Sequence, residues 1–239
     1  MNRPGTLRRM AMVTRIPRRG RGFWYGVAID ILYPIVMAFT VPSWRGGDHI
    51  PETGPVLLAS NHLSFVDPVT EAAFVLAHGR IPRFMAKSGL WDLPVIGKVL
   101  ADGGHIPVHR DVRDARGAYV AALAALERGE VLMVYPESTF TDDPDGWPMR
   151  GKTGVAKMAL ESGVPVVPIA HWGSQRVLPP KKILPRLLPR KRVSVHVGKP
   201  VDLSEFEGQR LSRTVLTEAT ERIMAAITDL LTEIRDTHP

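Results

Sequence analysis

Short apolar runs alternate with helix-like segments along the chain beyond Val41, and this alternation constrains the fold more than any other feature. Several runs are unbroken, as expected for strands with both faces buried. The alternation itself is typical of a parallel sheet covered by helices. The predicted strands are 55–60, 83–87, 105–110, 131–137, 164–172 and 192–198. The predicted helices are 67–79, 92–104, 113–129, 153–163 and 211–235, each of the first four ending at or near a glycine. The sequence therefore predicts an α/β fold with a mostly parallel sheet.

The length of 239 residues suits a single α/β domain. We place this domain at residues 46–239 and a separate N-terminal segment at residues 1–45. The chain contains no cysteine, which excludes disulfides, thiolate zinc sites and a cysteine nucleophile. It also lacks a GxSxG serine elbow, an HExxH zinc motif and a Walker loop.

The positive charge of the chain is local. The formal net charge is +7, but seven of the 31 Lys and Arg lie within the first 22 residues, and the remaining 24 equal the 24 Asp and Glu in number. A neutral body without an RNA or DNA motif argues against nucleic-acid binding. The basic arm is suited to anionic lipid headgroups, and a solvated tail is the alternative.

An apolar stretch, residues 23–41, follows the arm and is rich in Trp and Tyr. These aromatic residues favour the depth of lipid headgroups. Asp30 and Pro34 lie near its centre, where a charge is costly inside a bilayer. We therefore predict a monotopic, interfacial helical segment on an anionic membrane surface at the cytoplasmic face of the cell membrane. A buried N-terminal helix of the core is the alternative interpretation.

The stretch NHLSFVD, residues 61–67, follows the first predicted strand. Open α/β sheets place ligand sites at the carboxyl ends of their strands, so His62 is expected at such a site. Asp67 and Pro68 form a favourable helix start, with Asp as the N-cap and Pro at the first helical position. A loop that folds back would let Asp67 orient the imidazole, leaving the other nitrogen as a general base. A histidine and an Asp-Pro pair with purely structural roles are the alternative.

NHLSFVD resembles the NHxxxxD box of the glycerolipid acyltransferase family, which includes 1-acylglycerol-3-phosphate acyltransferases. Three further blocks resemble the family's other motifs in the expected order: residues 84–111, VYPESTF at 134–140, and VPVVPIA at 164–170. Together the four blocks span about residues 55–172.

The resemblance implies an O-acyltransferase. His62 would deprotonate the hydroxyl of a lysophospholipid, most simply 1-acylglycerol-3-phosphate, which attacks the thioester of acyl-CoA or an acyl carrier protein. Asp67 would orient His62. The resemblance implies no cofactor beyond this acyl donor, no metal and no covalent acyl-enzyme.

The same resemblance implies substrate-binding roles for five residues. Lys87 and Arg110 would bind the acceptor phosphate, and a guanidinium and an ammonium suit phosphate oxygens. Glu137, Ser138 and Thr139 would lie near the acceptor or orient the site. An exposed cation at a strand end and a carboxylate that only caps a loop are the alternative interpretations.

One departure from the family pattern concerns the acceptor. The family usually has Glu-Gly-Thr-Arg where this chain has Glu137-Ser138-Thr139-Phe140. Without the arginine, a glycolipid or an acylated amine is an alternative acceptor, unless Arg150 or Lys152 compensates. A non-catalytic lipid-binding protein is a further alternative.

A second basic block, residues 181–192, contains six Lys and Arg, no acid, and interleaved leucines and prolines. Basic and apolar residues together suit a membrane surface. The prolines argue against a regular amphipathic helix. A second membrane contact and a plain surface loop both remain open.

Overall fold

A seven-stranded sheet with helices on both faces forms the centre of the molecule in a computed structural model. The structure describes residues 20, 22–109, 112–180, 182 and 184–237, and of residues 112–115 only the backbone. The strands are β1 (Thr40–Arg45), β2 (Val56–Ser60), β3 (Pro82–Lys87), β4 (Ile106–Val108), β5 (Val131–Val134), β6 (Val166–Trp172) and β7 (Lys191–Val197). The helices are α1 (Phe23–Phe39), α2 (Asp67–Ala77), α3 (Pro94–Asp102), α4 (Val112–Glu127), α5 (Gly154–Ser162), α6 (Ser174–Val177) and α7 (Arg213–Thr237).

The spatial order of the strands is β1-β7-β6-β2-β5-β3-β4. Strands β2 to β6 run parallel, β7 is antiparallel to β6, and β1 is parallel to β7. The predicted mostly parallel α/β sheet is therefore confirmed, as are the six predicted strands and five predicted helices, with shifts of a few residues at their ends. Strand β1 was not predicted.

The central strands bury both faces, as their unbroken apolar sequences predicted. On one face, Leu57 of β2 and Leu132 of β5 pack beneath α4, α5 and α7. On the other face, Leu58 of β2 and Met133 of β5 pack against Phe74 of α2. Period-two alternation of side chains explains how neighbouring residues reach opposite layers.

Helix α1 forms an outer layer over α2 and α3. Its inward residues Tyr25, Ile29, Tyr33 and Val36 are buried against α2, where Leu76 contributes to the same cluster. Its outward face leaves large apolar side chains exposed, and the start of α3, a helix in contact with α1, exposes others. The exposed set is Phe23, Trp24, Val27, Ile31, Leu32 and Ile35 on α1, and Leu93, Val95 and Ile96 around the start of α3.

None of the helices in the described part of the chain combines the length and hydrophobicity needed to cross a bilayer. The segment predicted as an interfacial helix, residues 23–41, is largely helical, and its last residues enter β1. The structure thus shows an apolar helix with one face packed on the domain and one face exposed. Its role as a membrane anchor, and the division of the chain at residue 45, stay predictions. Apart from Gly20 and Gly22, the basic arm lies outside the described residues.

Candidate active site

The loop 61–66 connects β2 to α2 and places His62 over Asp67. Nδ1 of His62 lies 2.9 Å from Oδ2 of Asp67. The same carboxylate oxygen accepts the backbone N–H groups of Leu63, at 2.5 Å, and Ser64, at 2.8 Å. The loop therefore folds back as predicted and brings the imidazole and carboxylate together.

Helix α2 begins at Asp67, but the N-cap residue is Val66 rather than the predicted Asp67. The physical reason is that the Asp67 carboxylate faces backwards and bonds the loop amides instead of capping the helix. Asp67 is fully buried, whereas the His62 side chain keeps 15% of its surface exposed. The imidazole is thus the reachable member of the pair.

The charge of Asp67 is stabilised by its neighbours. Burial alone would raise its pKa, but the nearby His171 and hydrogen bonds from His62 and Ser174 together lower the pKa below its ordinary value. Asp67 is therefore a carboxylate at neutral pH. A carboxylate facing Nδ1 fixes the tautomer in which Nδ1 carries the proton and Nε2 is free to accept one.

Aromatic rings hold the His62 imidazole on two sides. The Tyr135 ring stacks on it with a centroid distance of 4.0 Å and an interplanar angle of 14°. The Phe140 ring lies 4.3 Å away at 47°, and Phe65 packs edge-to-face on Phe140 at 4.6 Å. Phe65 is largely exposed, so this aromatic pair lines the open side of His62.

The Tyr135 side chain contacts a buried acid, Glu71. The Tyr135 hydroxyl contacts one oxygen of Glu71, and the other oxygen lies 2.5 Å from the Ser60 hydroxyl. Burial raises the pKa of Glu71 well above its ordinary value, and the charge of Asp67 adds to the shift. Burial likewise raises the pKa of Tyr135. The raised pKa values favour the protonated forms of Glu71 and Tyr135, whereas the lowered pKa of Asp67 favours its charged carboxylate.

Glu137 joins the His62 loop to a distant segment. Its Oε1 accepts the His62 backbone N–H at 3.1 Å, and its Oε2 accepts the Met149 backbone N–H at 2.8 Å. Burial raises the pKa of Glu137 to about 7, although these two hydrogen bonds oppose the rise. Glu137 thus connects the backbones of the two segments, and its predicted role in binding the acceptor or orienting the site stays a prediction.

Two buried residues near Asp67 were missed by the sequence analysis. The Ser174 hydroxyl donates to Oδ1 of Asp67, and Nδ1 of His171 lies 3.3 Å from the same oxygen. His171 lies near the end of β6, and Gly173 turns the chain into α6 with φ of 100°. A Cβ at Gly173 would meet the Arg192 carbonyl oxygen, so only glycine fits this turn. A histidine at the carboxyl end of an apolar strand was the available signal.

Comparison with known proteins agrees with the geometry. The family model described as Acyltransferase matches residues 42–172, more than half of the chain. The chain belongs to the acyltransferase family. This finding confirms the resemblance that the NHLSFVD motif indicated.

Relatives within the acyltransferase family extend the comparison. The chloroplastic 1-acyl-sn-glycerol-3-phosphate acyltransferase LPAT1 of Arabidopsis thaliana is 28% identical over 186 residues, which cover 77% of this chain and 48% of the relative. The 1-acyl-sn-glycerol-3-phosphate acyltransferase of Borreliella burgdorferi is 26% identical over 182 residues, 74% of this chain and 70% of the relative. The chain thus spans about half the length of the plant relative.

A solved acyltransferase structure has the same fold. The 1-acyl-sn-glycerophosphate (LPA) acyltransferase PlsC from Thermotoga maritima superposes with a TM-score of 0.66 at 21% identity, covering 95% of this chain and 87% of that one. The likeness extends beyond the matched family model. It therefore includes the N-terminal helix and the C-terminal helix of the described chain.

The structure places three of the four other residues to which the family resemblance assigns substrate binding. Lys87 is exposed at the end of β3, and Arg110 lies outside the described residues. Ser138 and Thr139 are exposed just after β5, and Ser138 has φ of 61°, a conformation more favourable for glycine. Their substrate-binding roles stay predictions.

Arg150 and Lys152, the two possible replacements for the missing arginine, are both exposed. Arg150 lines a small cleft with Thr220 and Met224 of α7, and the Lys152 backbone N–H donates to the Pro136 carbonyl at 2.9 Å. Within the described ranges, no three His, Asp or Glu side chains are grouped as a metal site requires.

Proposed function

We propose that this protein transfers a fatty acyl group from acyl-CoA or an acyl carrier protein to the hydroxyl of a lysophospholipid. The favoured acceptor is 1-acylglycerol-3-phosphate, which would give phosphatidate, a precursor of glycerophospholipids. The observation that carries the proposal is the 2.9 Å contact between Nδ1 of His62 and the buried carboxylate of Asp67. Family membership and the names of the relatives support the choice of reaction.

In the proposed reaction, Nε2 of His62 removes the proton from the acceptor hydroxyl as its oxygen attacks the thioester carbonyl. Asp67 stabilises the imidazolium that forms. The carbon–sulfur bond then breaks, and the imidazolium returns the proton to the departing thiolate. General base catalysis contributes roughly 10²- to 10⁴-fold to the rate, so substrate positioning supplies a large further share.

The rings around His62 support a water-poor reaction site. Tyr135 covers one face of the imidazole, and Phe140, with Phe65 packed on it, lines the open side. Apolar walls limit the access of water, which would otherwise compete with the acceptor hydroxyl for the thioester. We assign Lys87 and Arg110 to the acceptor phosphate within the same proposal.

The aromatic pair also favours a second candidate function. A phenylalanine at position 140 offers no charge to a phosphate, and its ring lies 4.3 Å from the His62 ring. An acyltransferase that uses an uncharged or zwitterionic lyso-lipid, such as a lyso-glycolipid or an acylated amine with a free hydroxyl, would suit this wall. The chemistry at His62 would be the same.

We further propose that the protein attaches to the cytoplasmic face of the cell membrane without spanning it. The exposed apolar face of α1 and the start of α3 support this attachment. The loop 184–190 adds Leu184 and Leu188, which are 83% and 74% exposed, next to basic residues. Arg190 of this loop donates to the carbonyls of Met37 and Thr40 at the C-terminal end of α1.

A mass-spectrometric acceptor screen tests the proposed reaction. Purified protein and palmitoyl-CoA are incubated with lysophosphatidate, a lyso-glycolipid or a lyso-aminolipid, with the His62→Ala variant as the control. Formation of phosphatidate that is lost in the variant supports the favoured acceptor. Acylation of another lyso-lipid alone supports the second candidate, and no acylation of any acceptor, with either palmitoyl-CoA or a palmitoyl carrier protein, contradicts both.

A further inference from the structure

The second oxygen of Asp67 contacts two buried side chains that play no part in the proposed proton transfer. The Ser174 hydroxyl donates to Oδ1, and Nδ1 of His171 lies 3.3 Å from it. All three residues are completely buried. Asp67 thus uses Oδ2 for His62 and the loop amides, and Oδ1 for the β6–α6 turn.

The other ring nitrogen of His171 identifies its tautomer. Nε2 lies 2.7 Å from Oγ1 of Thr70, one turn into α2. If Nε2 carried the proton, the lone pair of Nδ1 would face the negatively charged Asp67 oxygen in a dry environment. If the Thr70 hydroxyl donates to Nε2 instead, the Nδ1–H group lies beside the Asp67 carboxylate, and both contacts are attractive.

Two further observations agree with the second arrangement. The two backbone carbonyls that could otherwise accept the Thr70 hydroxyl, those of Val66 at 3.2 Å and Asp67 at 3.1 Å, are both farther from it than Nε2 of His171 at 2.7 Å. Among the described residues, Nδ1 of His171 makes no hydrogen bond, and its 3.3 Å contact with Oδ1 of the Asp67 carboxylate is electrostatic. Burial lowers the pKa of His171, which favours the neutral ring over an imidazolium.

We propose that His171, as the neutral Nδ1–H tautomer, and Ser174 are positioning residues that hold Oδ1 of Asp67 so that Oδ2 faces His62. The resulting chain runs from the Thr70 hydroxyl through His171 and Asp67 to His62. It joins the end of β6 to the loop after β2, two neighbouring strands in the sheet. The assignment of a catalytic purpose to this chain rests on the proposed function.

The arrangement has a direct mechanical consequence for the His62 loop. Rotation of a carboxylate about its Cβ–Cγ bond moves both oxygens, so hydrogen bonds at both oxygens resist this rotation more strongly than hydrogen bonds at one. Asp67 accepts hydrogen bonds from Leu63 and Ser64 within the loop as well as from His62. Fixing Oδ1 therefore fixes the loop and the direction of Nε2 together, which matters because small misplacements of a catalytic group reduce rates strongly.

NMR of the protein labelled with ¹⁵N-histidine tests the tautomer without any substrate. Long-range ¹H–¹⁵N correlations distinguish a protonated Nδ1 from a protonated Nε2, and the His171→Asn variant identifies the His171 signals by their loss. The expected result is a neutral ring protonated at Nδ1. A ring protonated at Nε2, or at both nitrogens near neutral pH, would overturn the proposal.

Steady-state kinetics tests the positioning role. Ser174→Ala should lower kcat about tenfold or more while the acceptor KM changes less than about twofold, and Ser174→Thr, which keeps the hydroxyl, should recover most of kcat. His171→Asn, whose amide can replace Nδ1–H, should retain more kcat than His171→Leu. Ser194→Ala is the matched control, because Ser194 is a buried serine on the neighbouring strand β7.

The outcomes separate this inference from the proposed function. Unchanged kcat in the folded Ser174→Ala variant contradicts the positioning role even if the wild-type protein is an active acyltransferase. An equal loss of kcat in Ser174→Ala and Ser194→Ala also contradicts it, because both would then report general destabilisation. Absence of acyl transfer in the wild type contradicts the proposed function, and the NMR experiment still decides the tautomer.

Discussion

The backbone N–H of His62 donates to Oε1 of Glu137 at 3.1 Å, although the two residues are 75 positions apart in the chain. The other oxygen of Glu137 accepts the Met149 backbone N–H. One buried carboxyl group therefore fixes the backbone of the His62 loop and the segment that follows β5. Both carboxyl oxygens of Glu137 are thus engaged by backbone N–H groups.

This relationship predicts the effect of Glu137→Gln. The amide NH₂ group of glutamine would face one of the two backbone N–H groups, so one hydrogen bond is lost and a buried donor is left unsatisfied. We expect the free energy of unfolding to fall by about 1 to 3 kcal/mol and kcat to fall with little change in the donor KM. Urea denaturation and initial-rate kinetics measure the two effects. A variant as stable and as active as the wild type would show that the two hydrogen bonds are dispensable.

We expect the residue at position 140 to influence whether the enzyme prefers a charged or an uncharged acceptor. Phe140→Arg should raise the ratio of kcat/KM for lysophosphatidate over an uncharged lyso-lipid by about tenfold, because a charge-assisted hydrogen bond to phosphate contributes about 1.5 to 3 kcal/mol. The ratio cancels any general loss caused by removing the ring beside His62. Phe140→Leu is the uncharged control. If both variants give the same ratio, position 140 does not contact the acceptor headgroup.

We expect the exposed leucines of the loop 184–190 to contribute to membrane binding. Replacing both Leu184 and Leu188 with Asp should reduce binding to anionic vesicles at least tenfold, since a leucine buried in lipid contributes about 1.5 to 3 kcal/mol. Vesicle co-sedimentation measures the change. Val120→Asp is the matched control, because Val120 is also exposed, at 57%, but lies on α4 across the sheet from α1. Equal binding by the leucine variant and the control would exclude this loop as a lipid contact.

Because His105 is buried, we expect the folded protein to lose stability in acid. Burial, together with the charge of Arg83, lowers its pKa to about 4, and its Nδ1 accepts the Phe84 backbone N–H at 2.9 Å. The unfolded chain binds the proton near pH 6.5, so the stability contributed by neutral His105 is present above that pH. It is lost as the pH falls from about 6.5 towards 4, and amounts to about 3 kcal/mol in total.

The His105→Asn variant isolates this contribution, because its side-chain oxygen can replace Nδ1 as the acceptor without titrating. Urea denaturation between pH 7.5 and pH 4.5 should give a steeper decline in stability for the wild type than for the variant. Parallel declines would mean that His105 does not control the acid response. The change of the unfolding free energy with pH is compared between the two proteins. Their absolute stabilities are not compared, because the substitution also removes ring contacts with Tyr25 and Phe84.

Much of the sheet was predictable because the sequences of its central strands are continuous runs of apolar residues. Strand β1 was not, because Thr40–Arg45 is an edge strand that contains a proline and pairs with β7, some 150 residues later. The antiparallel direction of β7 was not predicted either. Local patterns predict that a strand exists, whereas its partner and direction depend on packing against distant elements.

The reacting pair was predictable for a different reason. His62 and Asp67 lie five residues apart, so one local turn brings them together, and the motif describes that turn. His171 and Ser174 reach Asp67 only because β6 pairs with β2, and no local pattern around them records this. Glu137 was predicted from a motif, but its two backbone partners follow from the folded chain alone.

The most direct test of the account compares acyl transfer by the wild type with transfer by His62→Ala and Asp67→Asn. Both variants should retain the wild-type circular dichroism spectrum and lose at least 10²-fold in kcat for palmitoyl transfer from palmitoyl-CoA to lysophosphatidate or whichever acceptor the screen identifies. The account predicts similar losses in the two variants, because Asp67 acts through His62. Folded His62→Ala protein that keeps its activity within about threefold of the wild type would contradict it.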